Sequence, residues 1–236
     1  MGSTWEAFYG GELQGLWSLI ALPAVFLVAL PWLRTRTRGS DPRAARFVRI
    51  WTVVFAAETI VDPLAIARLG APMLVFLLLG DFRVFLLVLG VAEPERSLAG
   101  TCARAAAWTL VVPVVAGLLY RAGTVIAGPL REQVLWLIYE CAFVALALWW
   151  RARFIPARRP PALRYLRAML AYVAIYYGLW GLADALILAQ RDVGWALRIV
   201  PNQLYYAFFV PVAWWLFFSP SYATYASTSS FVQARR

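Results

Sequence analysis

Long apolar segments alternate with short polar ones along the whole chain. Seven of them approach the length of about 20 residues that an α-helix needs to cross a bilayer. They run Leu13–Leu33, Val48–Leu69, Pro72–Val91, Ala105–Tyr120, Gln133–Trp150, Tyr165–Ala189 and Trp195–Phe218. The pattern predicts an all-α membrane protein whose seven transmembrane helices form one domain over residues 1–218. Residues 219–236 are rich in Ser, Thr and Tyr and are expected to form a flexible cytoplasmic tail.

Arginine is concentrated in two of the predicted loops. These loops carry Arg34, Arg36, Arg38, Arg43, Arg46 and Arg49 after the first segment, and Arg151, Arg153, Arg158, Arg159, Arg164 and Arg167 after the fifth. The loops of the opposite side hold only Arg68, Arg121, Arg131 and Arg191. Short basic loops lie on the cytoplasmic side and contact anionic lipid headgroups. We therefore expect a multi-pass protein of the cell (inner) membrane with its N-terminus outside and membrane lipids as partners.

Composition narrows the chemistry that the chain can perform. It is 63% hydrophobic, and its net charge of +10 comes from loop arginines, so no nucleic-acid partner is expected. The absence of histidine and lysine excludes histidine-ligated metal, a lysine Schiff base and a serine–histidine nucleophile. Cys102 and Cys141 have no metal-binding or disulfide spacing. We therefore expect neither a metal nor a cofactor.

Two acids lie one helical turn apart in the second apolar segment. A carboxylate at membrane depth is unfavourable and normally faces the interior of the bundle. Glu58 and Asp62 share a helix face, and two adjacent acids in apolar surroundings do not readily both ionise. One of them is expected to keep its proton and to act as a proton donor. The alternative is a hydrogen-bonded structural pair, with Asp62 forming a turn before Pro63.

Further acids lie in the third and fifth segments. Asp81 precedes Arg83 by two residues, so their side chains point in different directions and each is expected to meet a partner on another helix. Arg83 is the obvious counter-ion for a buried acid, and an interhelical salt bridge is as good an interpretation as a catalytic role. Glu140 has no partner within its own helix and is either functional or structural.

The last two segments carry polar and aromatic residues at helical spacing. Tyr176, Trp180 and Asp184 are spaced by four, and Asn202 and Tyr205 are spaced by three. Arg198 lies one turn outward of Asn202. Interfacial belts of aromatic residues explain the deeper Tyr176, Trp180 and Tyr205 poorly. These residues predict a pocket that reaches from the middle of the membrane toward its outer leaflet.

Four short motifs resemble those of the small seven-helix membrane terpene cyclases of fungal meroterpenoid and indole-diterpene pathways and their bacterial relatives. The motifs are Phe55-Ala56-Ala57-Glu58, Leu77-Leu78-Leu79-Gly80-Asp81, Asn202-Gln203-Leu204-Tyr205 and the arginine-rich loop around Trp149-Trp150-Arg151-Ala152-Arg153. The family has an acid where this chain has Asn202, and Asp184 could substitute for it. A tryptophan expected just before the glutamate of the second segment is also absent.

The resemblance implies acid-catalysed cyclisation of a hydrophobic prenyl lipid. Glu58 would donate the proton to an alkene or epoxide, and Asp62, Asp81 and Asp184 would be the other catalytic acids. Tyr176, Trp180, Asn202, Tyr205, Glu140 and Arg198 would line the substrate site. Such chemistry needs a neutral acid in a dry pocket and aromatic faces for the carbocation.

Two other functions fit the same sequence. Buried acids also suit a proton-coupled or small-solute transporter. Two three-helix repeats around a linker helix would then be expected, and a shift of 122 residues does place Asp62 over Asp184. A lipid-binding or assembly subunit without catalysis is the third possibility.

Overall fold

The computed structural model describes residues 4–9, 16–36, 42–69, 73–158 and 162–219; the side chains at 16, 17, 35, 36, 62–69, 73–76 and 158 are outside that description. The helices are α1 (Thr4–Tyr9), α2 (Leu16–Arg36), α3 (Pro42–Leu69), α4 (Met73–Ala92), α5 (Leu98–Ala127), α6 (Glu132–Trp149), α7 (Leu163–Leu188), α8 (Val193–Asn202) and α9 (Phe209–Phe218). Two π-helical segments, Trp150–Phe154 and Gln203–Phe208, follow α6 and α8, and Pro156–Arg158 forms a 3₁₀ turn. No strand occurs among the described residues, so the predicted all-α class is confirmed.

Three helical stretches are long and apolar enough to cross a membrane. They are Leu98–Ala127, Glu132–Phe154 and Leu163–Leu188, and the shorter Ser18–Arg34 is also apolar. In the first of these, few residues are buried and large apolar side chains such as Leu118 and Ile126 are exposed. An apolar outer face of this kind is expected where a helix contacts lipid. The chain thus has the character of a membrane protein, while the full set of seven spans stays a prediction.

Helix α7 lies at the centre of the bundle. It packs against α4, α6, α8 and α9, and consecutive helices from α2 to α8 contact one another. Its buried residues recur every three to four positions and include Tyr176, Tyr177, Trp180 and Asp184. Because α7 has neighbours on several sides, polar residues on it meet side chains from several helices. The candidate site is built around this helix.

The predicted boundaries differ most in the fourth and seventh segments. Helix α5 extends beyond the predicted Ala105–Tyr120 at both ends, to Leu98 and Ala127. The Ser97 hydroxyl accepts a hydrogen bond from Gly100 N at 3.2 Å, which caps its first turn. At the other end Gly128 adopts φ +84°, a backbone conformation that favours glycine, and its N–H donates to Thr124 O. The predicted seventh helix is interrupted by the π-helical segment Gln203–Phe208.

Candidate functional site

A cavity of about 470 Å³ lies at the end of the bundle where α6 and α8 begin and α7 ends. Its lining consists of Tyr9, Leu77, Glu132, Leu135, Trp136, Tyr139, Glu140, Tyr177, Trp180, Arg198, Asn202 and Tyr206. Glu132 is exposed, Trp136 is half-buried, and Tyr139 and Glu140 are buried. Eight residues of α-helix span about 12 Å, so the cavity descends about that far from the first turn of α6.

Aromatic rings form one continuous wall of this cavity. Trp136, Tyr139, Tyr177 and Trp180 make up this aromatic wall. Successive ring centroids are 6.2 Å apart from Trp136 to Tyr139, 6.3 Å from Tyr139 to Tyr177 and 5.5 Å from Tyr177 to Trp180. The planes of these neighbours are inclined by 49° to 66°, so the rings do not stack on one another. Phe143 stacks on Tyr177 with ring centroids 4.0 Å apart, so it covers one face of that ring.

A pair of acids lies beside the aromatic wall. Glu140 lines the cavity and is 4% exposed, and the fully buried Asp184 of α7 is its neighbouring acid. Glu140 Oε2 and both oxygens of Asp184 are buried without a hydrogen-bond partner among the described residues. Carboxylate oxygens only accept, so a hydrogen bond between these two groups requires a proton between them. A proton held by one of the two carboxyl groups would let the acid pair of Glu140 and Asp184 form a hydrogen bond at the cavity wall.

Arg198 supplies the positive charge next to the acid pair. Its Nε lies 3.3 Å from Asp184 Oδ1, and its guanidinium also lies over the rings of Tyr9 and Trp195. Helix α8 approaches α7 closely at Gly194, where a Cβ atom would lie 2.7 Å from the carbonyl oxygen of Ala183. The missing side chain of Gly194 thus allows α8 to bring Arg198 to Asp184.

Asp81 lies directly behind the aromatic wall and is fully buried. The hydroxyl groups of Tyr139 and Tyr177 donate to its two carboxylate oxygens. Asp81 thus finds its partners on other helices, as the sequence predicts, although they are phenols rather than a cation. Next to it, a Cβ atom on Gly80 would lie 1.8 Å from the Tyr205 hydroxyl, so glycine is required there for Tyr205 to pack against α4.

Arg83 does not form the salt bridge that the sequence suggested. Its guanidinium donates to Thr59 Oγ1 at 3.1 Å and to the Tyr205 carbonyl oxygen, and it packs over the rings of Tyr205 and Phe209. No ion pair of Arg83 occurs within the described part of the chain. Thr59, a backbone carbonyl and aromatic faces surround this buried cation, while its Nε is buried without a hydrogen-bond partner among the described residues. Sequence spacing does not reveal this arrangement.

The acids of α3 lie away from the cavity. Glu58 does not belong to its described lining, and one of its carboxylate oxygens is buried without a hydrogen-bond partner among the described residues. The charge of Arg83 acts on it. The side chain of Asp62 lies outside the described residues, so the predicted pairing of Glu58 with Asp62 stays a prediction.

The remaining predicted residues gather on two sides of the cavity. Asn202 accepts from Trp180 Nε1 at 2.9 Å and donates to the Tyr9 hydroxyl at 3.1 Å, which joins α7, α8 and α1 at its upper rim. Tyr176 and Tyr205 are buried behind Trp180, with ring centroids 5.8 Å and 5.2 Å from it. Glu140, Trp180, Arg198 and Asn202 are thus the predicted site residues that reach the cavity.

Sequence reasoning missed several lining residues. Trp136, Tyr139 and Tyr177 lie in apolar segments where an aromatic residue gives the same signal whether it faces lipid, core or cavity. One clue was present, because Tyr139 precedes Glu140 and Tyr177 lies seven residues before Asp184. That spacing places Tyr177 and Asp184 on one helix face.

Neither a metal site nor a known relative accounts for this arrangement. Within the described ranges, no group of three or more His, Cys, Asp or Glu residues is arranged to hold a metal ion. No protein-family model matches the sequence, and no curated protein or solved structure shows significant similarity to it.

Proposed function

We propose that this protein is a membrane-embedded, acid-catalysed cyclase or isomerase of a prenylated lipid. The observation that carries the proposal is the acid pair of Glu140 and Asp184 beside an aromatic wall in one cavity. The cavity volume of about 470 Å³ lies in the range of small-molecule sites. The resemblance of Glu58, Asp81 and Tyr205 to residues of the membrane terpene cyclases points to the same chemistry.

In the proposed reaction the proton between the two carboxyl groups passes to a carbon of the substrate alkene. The π electrons of the alkene form the new C–H bond and leave a carbocation. The faces of Trp136, Tyr177 and Trp180 stabilise that positive charge as it moves during ring closure. Attack by a second alkene forms the ring. The deprotonated acid pair then takes a proton from a neighbouring carbon, which completes the isomerisation and restores the donor. Arg198 balances the negative charge that remains on the acid pair.

This proposal assigns the proton donor differently from the sequence alone. Glu58 is the donor that the family resemblance implies, but Glu140 is the acid on the cavity wall. We therefore propose Glu140, supported by Asp184, as the donor. Glu58 would act through Arg83, which contacts the backbone of Tyr205. Asp81 would orient the phenols of Tyr139 and Tyr177.

We further propose that the chain crosses the inner membrane seven times. Helices α2, α3 and α4 and the stretch from α8 to α9 would join the three apolar spans. The arginine-rich loops would then be cytoplasmic, and the cavity would lie in the outer half of the membrane. A prenyl lipid would reach it from the bilayer.

Conversion of a prenylated arene by membranes containing each variant tests the proposal. Glu140→Gln cannot donate a proton and should lower turnover by the general-acid factor of about 10²–10⁴. Glu58→Gln should lower it far less, and Glu95→Gln, an exposed acid at the other end of the bundle, should leave it unchanged. Equal turnover by the wild type and Glu140→Gln would remove the acid pair from the mechanism.

The same membranes distinguish the cyclase from a transporter. Proton-coupled uptake of a solute into vesicles, lost in Glu140→Gln and accompanied by no conversion of a prenyl substrate, would favour the carrier function instead.

A further inference from the structure

The cavity has the chemistry of a binding site for an organic cation. The four rings of the aromatic wall and two carboxyl groups, those of Glu132 and Glu140, belong to its lining. Among the described lining residues the only cation is Arg198, whose Nε lies 3.3 Å from Asp184 Oδ1. After this pairing, the lining retains an excess of negative charge. Ring faces beside negative charge attract a cation that has no hydrogen to donate.

The deeper part of the cavity strengthens this character. Asp81 lies directly behind the wall and accepts hydrogen bonds from Tyr139 and Tyr177, so its charge adds to the electron density of both phenols. Trp136 Nε1 donates to Glu132 at 3.1 Å, and Trp180 Nε1 donates to Asn202 at 2.9 Å. The N–H groups of both indoles are thus occupied at the rim.

We infer that the cavity binds lipophilic quaternary ammonium cations, with the ammonium group against Tyr177 and Trp180 and beside the Glu140 carboxyl group. The inference rests on the proposed function, which selects this cavity as the substrate site. It adds the class of stable ligand that the cavity binds. A quaternary nitrogen carries the charge and branched shape that the carbocation of the proposed reaction would have. Because a quaternary ammonium ligand is not converted by proton transfer, its binding can be measured without turnover.

A matched pair of small probes tests this inference on the full-length protein in lipid nanodiscs. Benzyltrimethylammonium and neopentylbenzene have the same shape and differ in that a charged nitrogen replaces a carbon. Isothermal titration calorimetry should show the ammonium binding at least about tenfold more tightly, since desolvated cation–π contacts and a carboxylate act on it alone. Equal or tighter binding of neopentylbenzene would overturn the inference.

Variants locate the bound probe. Glu140→Gln and Trp180→Leu should each weaken ammonium binding about three- to thirtyfold, and Trp180→Phe, which keeps a ring, should restore most of it. Glu95→Gln and Trp215→Leu change an exposed acid and an exposed tryptophan outside the cavity lining, and they should leave the affinity unchanged. If both Glu140→Gln and Trp180→Leu bound the ammonium probe as tightly as the wild type, the probe would lie elsewhere and the assigned site would be refuted.

The outcome is separable from that of the proposed function. Prenyl-substrate conversion without ammonium binding would refute this inference and leave the cyclase proposal standing. Ammonium binding without conversion of any prenyl substrate would support this inference and refute the cyclase proposal.

Discussion

At the scale of single residues, the arrangement around Asp81 shows how two phenols accommodate a buried carboxylate. Each of its oxygens accepts from a phenol, one on α6 and one on α7. Hydrogen bonds to a charged group are stronger than those between neutral groups. The same two tyrosines line the cavity, so Asp81 fixes the orientation of half of the aromatic wall.

These bonds lead to a stability prediction. Tyr139→Phe and Tyr177→Phe each remove one donor from a fully buried carboxylate and should destabilise the fold by about 1.5–3 kcal/mol. Thermal unfolding in detergent, followed by intrinsic fluorescence, measures the change. Tyr120→Phe, which removes a 2.8 Å bond to the Leu130 carbonyl near the end of α5, is the control and should have a smaller effect. Equal stability of the three variants would contradict a structural role for the tyrosine–aspartate contacts.

At the scale of helices, the close contact between α7 and α8 positions the polar residues of the site. The turn between them includes Gln190 at φ +59°, and its last bonds run from Arg191 N to Leu186 O and from Gln190 N to Ile187 O. This is the pattern of a helix C-cap, and it reverses the chain within a few residues. Gly194 then lets α8 lie directly on α7.

A methyl group at Gly194 should therefore disturb the site. In Gly194→Ala the new Cβ would lie 2.7 Å from the Ala183 carbonyl oxygen, so α8 must shift and carry Arg198 away from Asp184. We expect a loss of about 1–3 kcal/mol in stability together with weaker activity. Gly117→Ala adds the same methyl group where nothing lies within 4 Å and should be neutral or stabilising by about 1 kcal/mol. Similar melting temperatures for the two variants would argue against tight packing at Gly194.

The helices could be predicted from the sequence more fully than the candidate site. Helix positions follow from apolar length, and the helical class is confirmed. The π-helical segment Gln203–Phe208 gave no signal, because its residues are as apolar as those of a regular helix. Glu140 was recognised as a buried acid, but its partner Asp184 lies 44 positions along the chain, and only tertiary packing brings them together. Single acids are therefore visible in the sequence, while their pairing is not.

At the scale of the whole molecule, the charged residues separate between the two ends of the bundle. Arg43, Arg96 and Arg104 gather with Glu93 and Glu95 at the end where α3 and α5 begin. The opposite end holds the cavity mouth and the α7–α8 turn. A bundle placed in a membrane by the positive-inside rule would have its cavity mouth outside.

Cysteine labelling tests this orientation. In a background where Cys102 and Cys141 are replaced by serine, Arg191→Cys lies at the cavity end and Glu95→Cys at the arginine-rich end. Both positions are exposed. A membrane-impermeant maleimide should label Arg191→Cys in intact cells, and Glu95→Cys only after permeabilisation. The reverse pattern would invert the proposed topology.

Proton transfer from the acid pair to the substrate is the central claim of this account. The most direct measurement is the mass of the product formed in D₂O from a prenyl substrate without an epoxide. Since the exchangeable proton of the pair becomes deuterium, the wild-type product should carry one non-exchangeable deuterium, located by NMR at the protonated carbon. Glu140→Gln, folded as judged by its melting temperature, should give about 10²–10⁴-fold less of this product. A cyclised product without deuterium, or one formed equally fast by Glu140→Gln, would contradict the account.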